Sequence, residues 1–331
     1  MAAKLMGLRR AARAMGVVSA ALIAAGCGGG AQTSKFLAQR VLAFGDESSV
    51  IVDVNADGNG SKYGINASVS ATDSTINCRA NALWVQFVAN RYGLVFAPCN
   101  PGPTPVSAPT SRIRAAFGAK AADLGAQIDT QLAESAFGSS DLATVLVGLN
   151  DVLAQYAQYP SISEAQLAAN LDAAGAEVGR QVNRLADAGV RVLIATVPDA
   201  GVTPFAAAEK IANADTDRGA LLTRLTARMN AALRATMQND GRRIGLILLD
   251  EQISAIGKFN GLNGFTNSTQ GACELSRSAL VPPSVLDCTD LTLVANATSA
   301  SYLWADDRHL SAGGQTILGN IAVSRAENNP F

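Results

Sequence analysis

Asp306 and His309 stand three residues apart in the run Asp306-Asp307-Arg308-His309. On a tight turn both side chains face one way, so the carboxylate can accept from one ring nitrogen and fix the tautomer. The other nitrogen is then free to move a proton to or from a reacting group. The same pair also fits a surface histidine in an acidic loop. His309 is the one histidine of the chain, so any imidazole chemistry falls to it. Sites needing two or more histidine ligands, which include most catalytic zinc arrangements, are excluded. A second polar cluster, Gly148-Leu149-Asn150-Asp151, offers a side-chain amide. An amide N–H aimed at a developing oxyanion contributes roughly 3–4 kcal/mol in acyl transfer. The alternative is an Asn-Asp helix cap. A third cluster, Gly45-Asp46-Glu47-Ser48, supplies carboxylates and a hydroxyl. No metal and no cofactor is expected.

Such scattered groups form one site only if the chain returns them to one place. Val41 to Phe44, Leu142 to Val147, Val190 to Val197 and Ile244 to Leu249 are short apolar runs that read as buried strands. Between them lie stretches with helical spacing: 81–92 ending at Gly93, 119–135, a run to Ala188 opened by a Ser161/Glu164 capping box, 205–239, and finally 312–326. Residues 53–76, 100–112 and 261–300 read as loops. Strands alternating with helices imply a three-layer α/β/α domain on a mostly parallel, flavodoxin-like sheet. In such sheets ligands bind beyond the carboxyl ends of the strands, which is where the polar clusters fall.

Phe44-Gly45-Asp46, Gly148-x-Asn150-Asp151 and Asp306-x-x-His309, in this order and strand context, resemble the blocks of the SGNH (GDSL-type) hydrolases. Phe117-Gly118-Ala119, followed by Ala122-Asp123-Leu124 and Gln127, resembles the family's glycine block. Thr196-Val197-Pro198-Asp199 with Pro204 resembles the loop after a later strand. The resemblance covers roughly residues 38 to 326. It implies a Ser-His-Asp esterase, with His309 as general base and Asp306 as its orienting partner. The implied oxyanion hole combines the Gly118 backbone N–H, the Asn150 amide and the nucleophile's own N–H. The family reads Gly-Asp-Ser-Leu where this chain reads Gly45-Asp46-Glu47-Ser48. Three readings follow. The turn absorbs one residue and Ser48 is the nucleophile, which is the favoured expectation. Or Glu47 itself works in the site, as base, carboxylate nucleophile or acidic anchor. Or hydrolysis is lost, and the protein binds an acylated glycan or lipid without turnover. Ser49 is a further candidate, but in an extended segment it points away from Ser48.

The N-terminus carries Lys4, Arg9, Arg10 and Arg13 and no acid, then an apolar run from Val17 to Ala25 and Ala25-Gly26-Cys27. This reads as a signal peptide over residues 1–26, and the cut before Cys27 resembles the lipoprotein signal in which that cysteine is lipidated. Ordinary secretion with a cut near Ala31 is the alternative. Residues 27–38 read as a tether and 39–331 as the hydrolase-like domain. The expected location is the bacterial cell envelope, lipid-anchored, or secreted. Of five cysteines, Cys27 then leaves an even four. In an oxidising compartment these pair most economically as Cys78–Cys99 and Cys273–Cys288, each closing a short loop and contributing roughly 3 kcal/mol. Removing four bases from 26 leaves 22 against 27 acids, a net charge of −5. With no basic patch, nucleic acid is not an expected partner. A small-molecule, lipid or glycan ester is the expected substrate, and the membrane is reached through the lipid anchor. Asp53-Val54-Asn55-Ala56-Asp57-Gly58 reads as the start of a calcium loop or as a plain Asx/Gly turn.

Overall fold

In the strand Arg40–Gly45, alternate side chains must face opposite sides of the sheet. Val41 and Ala43 pack on one face and Leu42 and Phe44 on the other, all fully buried. An apolar run without alternation therefore means a strand covered on both faces. A computed structural model describes residues 35–103 and 105–328. The leader 1–26, Cys27 and most of the 27–38 tether lie outside the described residues.

The central sheet has five strands, all parallel, in the spatial order Arg112–Ile113, Arg40–Gly45, Asp141–Leu146, Arg191–Ala195, Ile244–Ile247. In chain order this is 2-1-3-4-5, so the order reverses between the Arg40–Gly45 and Asp141–Leu146 strands. Those two pair in register from Arg40 opposite Asp141 to Gly45 opposite Leu146. Their carboxyl ends therefore open side by side at the switch point.

Eight helices are described: α1 (Trp84–Arg91), α2 (Leu124–Glu134), α3 (Leu149–Tyr156), α4 (Glu164–Asp187), α5 (Pro204–Ala212), α6 (Arg218–Thr236), α7 (Leu249–Lys258) and α8 (Ala312–Asn328). Helices α1, α7 and α8 cover one face through Trp84, Val88, Ile253, Ile256 and Leu318. Helices α2, α3, α4 and α6 cover the other through Leu124, Ile128, Val152, Leu171 and Leu225. A smaller core gathers Ile65, Val285 and Ala305 around the Cys273–Cys288 disulfide. The second disulfide joins Cys78 to Cys99. Among the described residues no helix is long and apolar enough to cross a membrane.

Several local expectations change. The cap of α4 is Ser163, which accepts the Gln166 N–H, and not Ser161. Both serines precede an acceptable helix start, and the spacing to Glu164 alone does not choose between them. The 205–239 stretch is two helices, because the Asp217 side chain caps a new start by accepting the Ala220 N–H. The 53–76 loop contains the short strands Ser61–Lys62, Ser68–Ser70 and Asp73–Ile76 in two small antiparallel pairs. The 261–300 loop contains Asn267–Gly271, which pairs with Tyr302–Trp304 apart from the main sheet. These strands are polar and short, so no apolar alternation announces them.

Candidate active site

The site begins at Gly45, whose φ of +120° and closeness to the next strand leave no room for a side chain. A Cβ there would stand 1.9 Å from the Leu146 carbonyl oxygen. Buried Gln127 of α2 clamps this glycine from both sides, accepting its N–H at 2.7 Å and donating to its carbonyl at 2.9 Å. The chain then turns at once into a single 3-10 turn, Glu47–Ser49. Asp46 caps it by accepting the Ser48 N–H at 3.0 Å, and its own N–H donates to Leu146 O at 2.9 Å. Asp46 is buried, and burial together with the neighbouring Glu47 charge pushes its carboxyl up to about 7.

This turn points Glu47 inward. Its Oε2 accepts the Gly118 N–H at 2.9 Å and the Asn150 Nδ2 at 3.0 Å. Its Oε1 accepts a longer bond from the same amide, 3.2 Å, and lies 3.5 Å from His309 Nε2. Gly118 reaches this position because it turns through φ +73° directly after the exposed Phe117. Asn150 sits in the first turn of α3 behind Gly148, and its amide also donates to Ala119 O at 3.2 Å, so it does not cap the helix.

His309 is held from its other side. Asp306 Oδ2 is 2.7 Å from His309 Nδ1, while Oδ1 accepts the backbone N–H groups of Arg308 and His309 at 2.9 and 2.7 Å. Burial of the ring would lower its pKa. The charge and hydrogen bond of Asp306, reinforced by Glu47, outweigh burial and raise it to about 10. Two carboxylates flanking the ring thus draw it toward the protonated form. Burial likewise pulls Glu47 upward, but the imidazolium and the Gly118 N–H hold it below its ordinary value. Asp306 is lowered against its burial by His309. At 3.5 Å the Nε2–Oε1 contact is an ion pair and too long for a good hydrogen bond. Buried His309 Nε2 accordingly has no hydrogen-bond partner.

The structure therefore brings together Glu47, Asp306, His309, Gly118 and Asn150, and it does not bring Ser48 to His309. The Ser48 N–H is spent on Asp46, and no hydrogen bond links its hydroxyl to His309, whose Nε2 has no hydrogen-bond partner. The turn does not absorb a residue, so the ungapped alignment describes it. Ser49 is on a 3-10 turn and not in an extended segment. Its buried hydroxyl accepts Trp84 Nε1 at 3.0 Å and ties the turn to α1.

Tyr63 was not among the expected residues. Its ring lies 6.0 Å from that of His309 and stacks on Phe117 at 4.9 Å, forming one wall of the mouth. Fully buried Lys62 anchors it: the ammonium donates to the carbonyls of Cys78, Ala80 and Asn81 at 3.0, 2.6 and 2.9 Å. No spacing signal marks a lysine that serves as an internal clamp in a glycine-rich segment. Beside Gly118 opens a cleft of about 360 Å³ lined by Arg114, Phe117, Ala119, Gln127 and Thr130. The Asp53–Gly58 segment is a turn in which Asp53 accepts the Gly58 N–H and Asp57 the Asn59 N–H. Among the described residues there is no group of three or more His, Cys, Asp or Glu placed to hold a metal ion.

Compared with known proteins, residues 41–322 match the family model of GDSL-like lipases/acylhydrolases. No curated protein matches the chain. Among solved structures, the acetyl xylan esterase AlAXEase is similar at 13% identity over 86% of this chain and 98% of that one, with a TM-score of 0.40. Axe2, an acetylxylan esterase from Geobacillus stearothermophilus, is similar at 12% identity over 88% and 96%, with a TM-score of 0.42.

Proposed function

The chain belongs to the GDSL-like lipase/acylhydrolase family, and on that premise we propose a carboxylic ester hydrolase whose nucleophile is the Glu47 carboxylate. The observation that carries this reading is the Glu47 carboxylate lying between His309 Nε2, 3.5 Å away, and the Gly118 N–H, 2.9 Å away. A serine hydroxyl needs a base to take its proton, and an imidazole already protonated is no base. A carboxylate needs no deprotonation, but its leaving group needs an acid. The His309 imidazolium supplies that acid. Asp306 keeps the ring oriented throughout, with its Nδ1 bond at 2.7 Å.

Attack of Glu47 Oε1 on the ester carbonyl breaks the bond to the alcohol oxygen, which takes the proton from His309 Nε2. The neutral ring then serves as the base for water in the second half. The cleft adjoins the donor pair at Gly118, and the Tyr63–Phe117 wall stands on the His309 side.

The test is turnover of a short-chain chromogenic ester by the purified mature protein. Wild type and Ser48→Ala are expected to turn over, and Glu47→Ala and His309→Ala to lose at least about 100-fold. Loss in Ser48→Ala with Glu47→Ala still active would restore the serine triad and overturn the proposal. A second reading, ligand binding without turnover, is favoured by the fact that Oε2 already satisfies both donors. It predicts that wild type binds the ester and never releases the alcohol.

Export and lipid attachment at Cys27 are part of the proposal. The basic and apolar leader supports them, and two disulfides fit an oxidising compartment. Labelled palmitate entering the full-length protein in cells, and absent from Cys27→Ser, is the expected result. Equal labelling of both would refute it.

A further inference from the structure

In a serine acyl-enzyme the acyl carbon is the second atom beyond Cβ, after Oγ. In a glutamate the carboxyl carbon Cδ is also the second atom beyond Cβ, after Cγ. Glu47 stands where the family carries serine, so its Cδ and Oε2 correspond to the carbonyl carbon and oxygen of such an intermediate. The donors agree with that correspondence. Oε2 has the two shorter bonds, from the Gly118 N–H and Asn150 Nδ2, and Oε1 has one longer bond and faces His309. A donor pair that already holds the nucleophile's own oxygen is preorganised for negative charge arising on that oxygen.

Resting on the reading of Glu47 as nucleophile, we propose that water hydrolyses the covalent intermediate at Glu47 Cδ, with Gly118 and Asn150 stabilising the charge on Oε2. After the first half-reaction Glu47 is a mixed anhydride, joined through Oε1 to the substrate's acyl carbon. Neutral His309 Nε2 takes a proton from water as the water oxygen bonds to Cδ. The electron pair of the Cδ–Oε2 double bond moves onto Oε2, between its two donors. On collapse the Cδ–Oε1 bond breaks and Oε1 departs in the released carboxylic acid. Glu47 keeps Oε2 and the oxygen of water. The acid departs as its carboxylate, and the proton balance closes when Glu47, left as the carboxylic acid, loses its proton to solvent with His309 again an imidazolium. The two donors thus serve the enzyme's own carbonyl and not that of the substrate. His309 is set for the step because its Nε2 is buried, without a hydrogen-bond partner and held beside Oε1 by Asp306.

The experiment is a single turnover in water enriched in heavy oxygen, with mature protein in excess over the ester. The peptide carrying Glu47 and the released acid are then weighed. The expected result is one heavy oxygen in the Glu47 peptide and none in the acid. Heavy oxygen in the acid with an unlabelled peptide would mean that water attacks the substrate's own acyl carbon. That result overturns this inference and leaves the nucleophile reading standing. Turnover that survives in Glu47→Ala, or no turnover in wild type, overturns that reading and the inference with it. A second measurement uses Asn150→Ala, expected to slow the second half by about 100-fold. Its intact mass after mixing is expected to rise by one acyl group, and an unchanged mass with normal release of acid refutes the assignment.

Discussion

Replacing Glu47 by Gln removes one charge and almost no volume, so the ring of His309 reports the loss directly. Oε1 lies 3.5 Å from Nε2, and the two side chains are only 6% and 11% exposed. At an effective dielectric of about 20 the attraction across that distance is about 5 kcal/mol, which corresponds to about 3.5 pH units in the titration of the ring. Wild type, with the ring raised to about 10 by Asp306 and Glu47 against its burial, is therefore expected to titrate far into the alkaline range. Glu47→Gln is expected to titrate near the ordinary imidazole value of about 6.5. The assay is the pH dependence of the imidazole resonances in a proton–nitrogen correlation spectrum. Because the chain holds a single histidine, no assignment is needed. Thermal stability gives the same answer by another route. A histidine with a raised pKa stabilises the fold fully below its ordinary value near 6.5 and loses that contribution as pH climbs towards 10. Wild type should thus lose stability from pH 7 to 10, and Glu47→Gln should lose much less over that window. A wild-type ring titrating at the ordinary imidazole value, or a shift below one pH unit in Glu47→Gln, would refute the facing carboxylate.

Three further outcomes follow from the surroundings of the site. Asp46→Asn keeps the oxygen that caps Ser48 but removes a buried carboxyl raised from 3.8 to about 7. Its ionisation costs nothing below pH 3.8 and up to about 4 kcal/mol above 7, so the variant should gain stability over wild type at pH 8 and almost none at pH 4 in urea melts. Gly45→Ala drives a Cβ to 1.9 Å from Leu146 O, and a loss of about 4 kcal/mol or failure to fold is expected by calorimetry. Lys62→Met leaves the carbonyls of Ala80 and Asn81 without their donor. A loss of about 2–3 kcal/mol is expected, with the Tyr63 wall loosened, read as a lower Tm and faster hydrogen exchange over residues 62–81.

The parts of the site that could be read from sequence are those whose partners are close in the chain or sit at strand ends. Asp306 and His309 lie on one turn, so their spacing allows the 2.7 Å bond, and the family's order of blocks singles it out from a surface histidine. Asn150 follows a buried strand directly, and the parallel sheet must bring that strand end beside Gly45. The choice between Glu47 and Ser48 was not legible, and the reason is geometric. Successive side chains on a 3-10 turn diverge by about 120°, so the facing residue depends wholly on where the turn begins. That phase is set by contacts from far away: the Leu146 carbonyl under Asp46, the Gln127 clamp on Gly45 and the Trp84 bond to Ser49. Gln127 was visible only through the family's glycine block. Tyr63 and Lys62 lie in a segment of short polar strands, where neither periodicity nor a motif marks a buried residue.

The carboxylate held by Gly118 and Asn150 also decides how the protein answers to covalent probes. Fluorophosphonates and related reagents label serine hydrolases because an activated hydroxyl attacks phosphorus while a P=O oxygen enters an empty donor pair. Here the donor pair holds a carboxylate, the Ser48 hydroxyl makes no hydrogen bond to His309, and the negative charge of Glu47 repels the phosphoryl oxygens. Activity-based profiling with such reagents would pass over this protein, whereas carbon electrophiles that alkylate carboxylates would mark it at Glu47.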